Sequence, residues 1–215
     1  MTFTFSITLV IAAITVLVSL LGFNSPKVID SLVFYGPAIS KRNQYYRFIT
    51  CGLIHADFMH LAFNMLAFYT FGINLEKVLF ASPDIFGEDA PVYFTMLYIG
   101  GLIISSVPDY FKHKDNYYFR SLGASGAVSA VIFSSIVLFP TMGIGFIFIP
   151  IPIPGWIFGL IYLGISAYLD KQGKGNINHG AHLWGAIFGI VFTVLFVSLK
   201  GEINVWQNFI SNIKG

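Results

Sequence analysis

The chain alternates long apolar stretches with shorter polar ones. Six stretches contain no Asp, Glu, Lys or Arg, and each comes near the roughly 20 residues that a helix needs to cross about 30 Å of hydrocarbon. They are Thr2–Phe23, Phe58–Leu75, Val92–Val107, Leu122–Phe139, Pro152–Leu169 and Gly180–Leu199. The period-2 alternation that marks membrane β-barrels is not found in the sequence. The pattern therefore predicts an all-α membrane protein with six transmembrane helices, in a single domain over residues 1–215.

Composition supports this interpretation, because only 10% of the 215 residues are charged and 56% are hydrophobic. A soluble domain carries about a quarter of its residues as charged ones. The net charge of +2 argues against a nucleic-acid partner. Cys51 is the single cysteine, which excludes an internal disulfide and predicts a small buried side chain.

No Lys or Arg precedes Thr2–Phe23 and no cleavage motif follows it, so a retained helix is expected rather than a signal peptide.

Two connections between the apolar stretches have an unusual composition. The first, Asn24–Asp57, mixes charges with Phe and Tyr, which favours a long membrane-associated loop in the headgroup region. In Ile149–Trp156 every second residue up to Pro154 is proline. Proline fixes φ and removes a hydrogen-bond donor, so this segment is predicted to be extended until Pro154, where the fifth helix is expected to open.

Polar residues are rare in the apolar stretches, and the most informative ones lie near the start of the second, fourth and sixth. Polar groups within a membrane span usually serve a function. The positions concerned are His60 and Asn64 in HLAFN, Ser125 between Gly123 and Gly126 in GASG, and His182 with Gly185 and Gly189 in AHLWGAIFG. Alternate spans run in the same direction, so these three helix starts lie in one leaflet. The small residues allow the fourth and sixth helices to approach closely.

These residue types suit nucleophilic catalysis. A serine hydroxyl needs a base to remove its proton, and a neutral histidine is the usual one. The oxyanion of the intermediate needs donors, which the backbone N–H of Ser125, His60 and Asn64 can supply. No carboxylate lies near His182 in its own helix, so the pattern predicts a Ser–His dyad without a third member.

These motifs, in this order, resemble the rhomboid family of intramembrane serine proteases. The resemblance covers all six spans, and it includes Arg47 after Tyr46 and the pair Gly72 and Glu76. It implies that Ser125 is the nucleophile and His182 the base, and that His60 and Asn64 stabilise the oxyanion. It further implies that the first connection forms a membrane-embedded hairpin and that single-span membrane proteins enter near the fifth helix.

In the same interpretation, Arg47 and Glu76 support the structure through hydrogen bonds, as do the glycines of the motifs through close packing. Two positions depart from the family pattern. Ser129 stands where some relatives carry an aromatic ring against the catalytic imidazole, so that other rings would have to orient it here. His179 stands where many relatives have Asn. His55, His113 and His179 are expected to be interfacial or solvated.

Two other functions compete with proteolysis. A catalytically silent rhomboid-like protein would bind transmembrane clients, but such relatives usually lose the Ser or the His. A small transporter would carry polar residues through the full depth of the bilayer. A metal site is not expected, because the HExxH motif is missing and no span offers a carboxylate. The expected partners are single-span substrates and the bilayer, with no cofactor, metal or nucleic acid.

The orientation in the membrane is open between two arguments. Of the twelve Lys and Arg residues, nine lie in the connections on the side of the polar clusters, and the positive-inside rule would put that side in the cytoplasm. The family resemblance implies the opposite orientation, and we favour it because the first connection is expected to lie in the interface. The expected location is the bacterial plasma membrane, in multi-pass form.

Overall fold

The computed structural model describes residues 6–146, 149–173 and 177–214. In these residues the chain forms ten α-helices and one two-stranded sheet, with short 3₁₀ turns at Cys51–Leu53 and Gly87–Asp89 and a π-helical turn at Leu75–Leu79. The elements are α1 Ile7–Phe23, α2 Pro26–Leu32, α3 Gly36–Arg42, α4 Arg47–Thr50, α5 Phe58–Asn74, α6 Ala90–His113, α7 Ser125–Leu138, β1 Gly143–Phe146, β2 Ile149–Pro154, α8 Gly155–Gln172, α9 His179–Lys200 and α10 Val205–Lys214. The predicted start of the first span, Thr2, lies outside the described residues.

Three helical stretches of the described chain are long and apolar enough to cross a membrane: Phe58–Leu79, Gly87–His113 and His179–Lys200. The helices α1 and α7 are apolar but shorter. Large apolar side chains also face outward; Leu17 and Leu160, for example, are 63% and 65% exposed. A surface of this kind is stable in lipid rather than in water. The molecule is an integral membrane protein, and each predicted apolar stretch overlaps one of the six longer helices.

The predicted bounds of the third and fourth helices needed the largest corrections. The third helix was predicted over Val92–Val107, whereas α6 runs from Ala90 to His113 and continues through Pro108. The fourth was predicted from Leu122, whereas α7 begins at Ser125. Gly123 has φ +110, a conformation that no right-handed helix accommodates, so the backbone must turn before the helix starts.

The all-α prediction was incomplete, because Ile149–Pro154 pairs with Gly143–Phe146 as an antiparallel hairpin. Gly143 lies opposite Pro154, and Ile144 lies opposite Ile153. The prediction that the proline-rich segment is extended was therefore correct, but its partner strand was not foreseen. The fifth helix begins at Gly155, directly after Pro154, where it was expected to open.

The helix α7 lies at the centre of the bundle. Twelve of its fourteen residues are buried, and it packs against α5, α6, α8 and α9. Helix α9 packs against both α6 and α7. Because α7 is short and surrounded by these helices, its first residue, Ser125, lies among other helices of the bundle.

Buried hydrogen bonds fix the first connection to itself and to the bundle. The guanidinium of Arg47, which is 6% exposed, donates to the carbonyls of Asp30 and Val33. Phe34 exchanges two backbone hydrogen bonds with Ser121, just before α7. The connection is therefore an ordered part of the fold, and it reaches the segment that leads to Ser125.

A second buried group joins α1 to the end of α5. The carboxylate of Glu76, 1% exposed, accepts hydrogen bonds from the backbone N–H groups of Ile7 and Thr8 and from the hydroxyls of Ser6 and Thr8. These N–H groups belong to the first turn of α1, where a helix has no partners of its own and favours a negative charge. Glu76 thus caps α1 from another helix.

Candidate active site

Ser125 is the first residue of α7 and is half-buried, at the end of a loop whose backbone is tightly constrained. Gly123 donates its N–H to the carbonyl of Cys51 at 2.9 Å. A Cβ at Gly123 would lie 2.7 Å from Cε1 of His60, so this position is closed to larger residues by its φ and by its neighbour. The backbone beside Ser125 is therefore fixed against α5.

His55 holds the next residue of this loop. Its Nε2 accepts a hydrogen bond from the N–H of Ala124 at 3.4 Å, and its Nδ1 lies 3.0 Å from the hydroxyl of Ser19. That hydroxyl also lies 3.0 Å from the carbonyl of Leu53 and donates to it. All three contacts are satisfied together only when His55 is neutral and carries its proton on Nδ1.

The burial of His55 was not foreseen. We expected an interfacial or solvated residue, but its exposed fraction is 0%, so that expectation was wrong. Burial lowers the pKa of His55 to about 3, from an ordinary value of 6.5. The imidazole is thus kept in the neutral form that the hydrogen bonds from Ala124 and to Ser19 require.

His182 lies in the first turn of α9, and two aromatic side chains surround its ring. The ring of Tyr162, from α8, lies nearly parallel to it, with centroids 6.2 Å apart and planes at 18°. His179 meets it edge-on at 5.8 Å and 76°. The ring of His182 is therefore bordered by neighbouring rings, and His179, which is partly exposed, contacts it.

Glycines bring the helices of Ser125 and His182 into backbone contact. A Cβ at Gly185 would lie 2.1 Å from the carbonyl oxygen of Gly126. A Cβ at Gly189 would lie 2.3 Å from the carbonyl oxygen of Ala130. Since Gly126 follows Ser125 and Gly185 lies three residues after His182, both candidate residues stand at the same end of this contact. In the part of the chain that the structure describes, no hydrogen bond joins the hydroxyl of Ser125 to His182.

The two candidate oxyanion donors occupy different positions. The ring of His60 lies against Gly123, beside the start of α7. The N–H of Ala56 approaches its Nδ1 at 3.5 Å, which leaves the proton on Nε2. Asn64 is 8% exposed and lies one turn further along α5, where its amide donates to the carbonyl of His60 at 2.9 Å. His60 is thus next to the serine loop, and Asn64 contacts the backbone of His60 in the same helix.

A family model described as the rhomboid domain matches residues 42–199, which is most of the chain. The chain belongs to the rhomboid family. The match includes Ser125, His182, His60 and Asn64, and it begins at Arg42, the last residue of α3.

Relatives come from bacteria and from mitochondria. The chain is 28% identical to the putative rhomboid protease YdcA of Bacillus subtilis, over 80% of this chain and 76% of that protein. It is 24% identical to the rhomboid protease AarA of Providencia stuartii, over 93% of this chain and 75% of that protein. It is also 28% identical to the mitochondrial RHOMBOID-like protein 12 of Arabidopsis thaliana, over 68% of this chain. That alignment spans 45% of the plant protein's length.

In this rhomboid the start of α9 is held by a residue that the sequence pattern did not single out. The side chain of Asn178 accepts a hydrogen bond from the N–H of Ala181 at 3.0 Å, and it donates to the carboxylate of Asp109 and to the hydroxyl of Ser121. It therefore joins α6, the loop before α7 and α9. An Asn directly before an apolar helix is a typical N-cap signal, which identifies the contact to Ala181 but not the two distant partners.

Proposed function

We propose that this rhomboid is an intramembrane serine endopeptidase with Ser125 as nucleophile and His182 as general base. The observation that carries the proposal is the glycine contact between α7 and α9, which brings the starts of the two helices together. Gly126 and Gly185, which flank the two residues, approach each other at backbone distance, and we propose that the hydroxyl of Ser125 and the imidazole of His182 meet by side-chain rotation. Looser geometry of this kind is common before substrate binds.

The reaction uses groups that this chain holds in place. His182 takes the proton of Ser125, whose oxygen attacks the peptide carbonyl carbon, and the oxyanion forms beside the N–H of Ser125. The Nε2–H of His60 is a second donor, since that nitrogen lies toward Gly123, and Asn64 is a third. The protonated His182 then gives its proton to the leaving amine, and water later releases the acyl group by the same route. No metal or cofactor is needed for these steps.

The substrates we propose are single-span membrane proteins, because the site lies among the starts of apolar helices. Six spans are proposed, in which α1, α7 and α8 cross beside the three longer helices. The two bacterial proteases align over at least three quarters of their own length, and the plant mitochondrial relative over 45%. This difference supports the bacterial plasma membrane as the location.

Cleavage by the purified protein tests the proposal. In proteoliposomes, wild type should cut a fluorescent single-span substrate, and a fluorophosphonate probe, which reacts with activated serines, should label it. Ser125→Ala and His182→Ala should each lower cleavage by at least about 10³-fold. Ser135→Ala is the matched control, because Ser135 lies further along α7 and donates only to the carbonyl of Val131 in its own helix.

The control should cleave at the rate of wild type. A wild type that neither cleaves nor reacts with the probe would contradict the proposal. Binding of the single-span substrate without cleavage would then favour a silent client-binding protein, and the absence of binding would favour a transporter.

A further inference from the structure

Tyr162 contacts both of the helices that carry the proposed dyad, although it belongs to a third helix, α8. Its hydroxyl lies 2.7 Å from the hydroxyl of Ser129, which stands one turn after Ser125 on α7. The face of its ring lies against His182, as described above. One side chain therefore bridges the nucleophile's helix and the ring of the base.

The ring of Tyr162 is itself held in position. Phe133 packs against it with centroids 5.5 Å apart, and Phe158 packs against it at 5.6 Å. Phe133 follows Ser129 by four residues, so both contacts to Tyr162 come from one face of α7. With its hydroxyl bonded and its ring packed against two phenylalanines, Tyr162 is restricted in its rotation, and it offers His182 an ordered surface.

The imidazole of His182 needs such a surface. In the described residues its side chain makes no hydrogen bond to a carboxylate, and its ring contacts are Tyr162 and His179. Rotation of the imidazole about its bond to Cβ would turn the basic nitrogen away from Ser125. A parallel aromatic ring favours one plane for the imidazole, because offset-stacked rings attract each other most strongly in that arrangement.

We infer that Tyr162, anchored by Ser129, is a positioning residue that sets the plane of the His182 imidazole. This inference rests on the proposed proteolytic function. The hydroxyl of Ser129 anchors this ring, which α8 supplies, through its hydrogen bond to Tyr162. It follows that the alignment of the base depends on where α8 sits, because α8 brings the ring.

The test uses variants that remove the ring or only the anchor. Tyr162→Leu removes the ring, whereas Tyr162→Phe and Ser129→Ala each remove the hydrogen bond. Tyr168→Leu is the matched control, a tyrosine of the same helix that is 63% exposed. Three quantities are measured for each variant in proteoliposomes: kcat and KM for a single-span substrate, the rate of fluorophosphonate labelling at Ser125, and the Tm.

Tyr162→Leu should lower kcat and the labelling rate by about 10- to 100-fold with KM unchanged, because misplaced catalytic groups slow chemistry rather than binding. Labelling needs the base but no transmembrane substrate, so it separates positioning from substrate entry. Tyr162→Phe and Ser129→Ala should each lower kcat on the order of fivefold. Their double variant should lose no more than either single one, because both break the same hydrogen bond. Tyr168→Leu should match wild type.

The inference fails if wild type is active and Tyr162→Leu keeps its kcat and labelling rate, or loses only Tm. Should Tyr162→Leu not fold, additive losses in the Phe and Ala variants, or no loss in either, would overturn the inference. An inert wild type, indistinguishable from Ser125→Ala, would instead overturn the proposed function and the inference with it.

Discussion

The loop of Ser125 is held through its own backbone groups, whereas the ring of His182 is bordered by other rings. The serine loop is fixed by the N–H groups of Gly123 and Ala124 and by the carbonyl of Gly126 against Gly185. The imidazole of His182 is bordered by Tyr162 and His179. In the described residues, neither Tyr162 nor His179 forms a hydrogen bond with the imidazole of His182.

The difference indicates which changes each side tolerates. Where backbone packs against backbone, there is no room for an added side-chain atom, so a larger residue forces the helices apart. Ring contacts are removed by a single side-chain substitution that leaves the helices in place. We therefore expect damage near Ser125 to appear mainly as lost stability, and damage near the imidazole to appear mainly as lost rate.

The largest effect is expected at the contact that both sides share. Gly185→Ala places a Cβ 2.1 Å from the carbonyl oxygen of Gly126, so α9 must move away from α7. We expect a loss of at least about 3 kcal/mol in the free energy of unfolding, because overpacking against backbone cannot be relieved by a rotamer change. Unfolding in mixed micelles with increasing denaturing detergent measures it.

Gly164→Ala is the matched control for this substitution. Gly164 lies in α8, and no atom lies within 4 Å of the Cβ it would gain. The same change should there be neutral or stabilise the helix by up to about 1 kcal/mol, since alanine is the better helix former. Equal effects at Gly185 and Gly164 would show that the α7–α9 contact is not as close as the structure has it.

A smaller effect is expected at His55, on the serine side. His55→Leu leaves the N–H of Ala124 and the hydroxyl of Ser19 without this partner, which should cost about 2 kcal/mol at pH 7.5. The variant also tests pH dependence. The folded-state pKa of His55, about 3, lies below its ordinary 6.5, so protons bind the unfolded state more readily. The stability that wild type draws from neutral His55 is complete above pH 6.5 and is lost as the pH falls toward 3.

The loss in wild type should be about 1.4 kcal/mol for each pH unit below that ordinary value. The measured quantity is the difference in unfolding free energy between wild type and His55→Leu at pH 7.5, 6 and 5. The subtraction removes contributions from histidines that do not contact His55, and His60→Leu in both backgrounds separates that of His60, whose ring centroid lies 4.9 Å from that of His55. A difference that stays constant over this range would contradict the neutral, buried His55.

The smallest effect is expected at Asn178, which holds the backbone on the histidine side. Asn178→Ala removes the cap of α9 and should lower the unfolding free energy by about 1 kcal/mol, with a moderate loss of kcat. Asn178→Asp keeps an acceptor for the N–H of Ala181 but sets a second carboxylate beside Asp109. We expect the Asp variant to lose at least as much as the Ala variant near neutral pH. An Asp variant as stable as wild type would show that the cap alone matters.

Much of the fold followed from local patterns in the sequence. Apolar stretches free of charge gave the six longer helices, and alternating prolines gave the extended segment before Gly155. The glycines near Ser125 and His182 indicated that their helices pack closely, and Gly185 does contact Gly126. These features depend on neighbouring residues or on a helical period, both of which can be read along the chain.

The features that the sequence did not predict are contacts between residues far apart in the chain, and the local sequence around each residue gives little indication of its partner. The hairpin partner of Ile149–Pro154, Gly143–Phe146, is only four residues long and lies beside an apolar stretch, so its weak alternation did not identify it. His55 looked like one more interfacial histidine, because only its distant partners Ser19 and Ala124 explain its burial. Tyr162 is one of 11 tyrosines. Nothing near it in the sequence indicates that it meets Ser129 and His182.

Glu76 also bears on how α1 is attached. The family match begins at residue 42, so α1 lies before it, yet the carboxylate that caps α1 lies within the match. The docking of this helix is therefore specified in part by an anion in the rest of the bundle, and we expect it to persist without an unbroken peptide link. A chain cut between α1 and α4 should keep its two fragments together, and α1 supplied as a separate polypeptide should find its place by offering its first-turn N–H groups to Glu76.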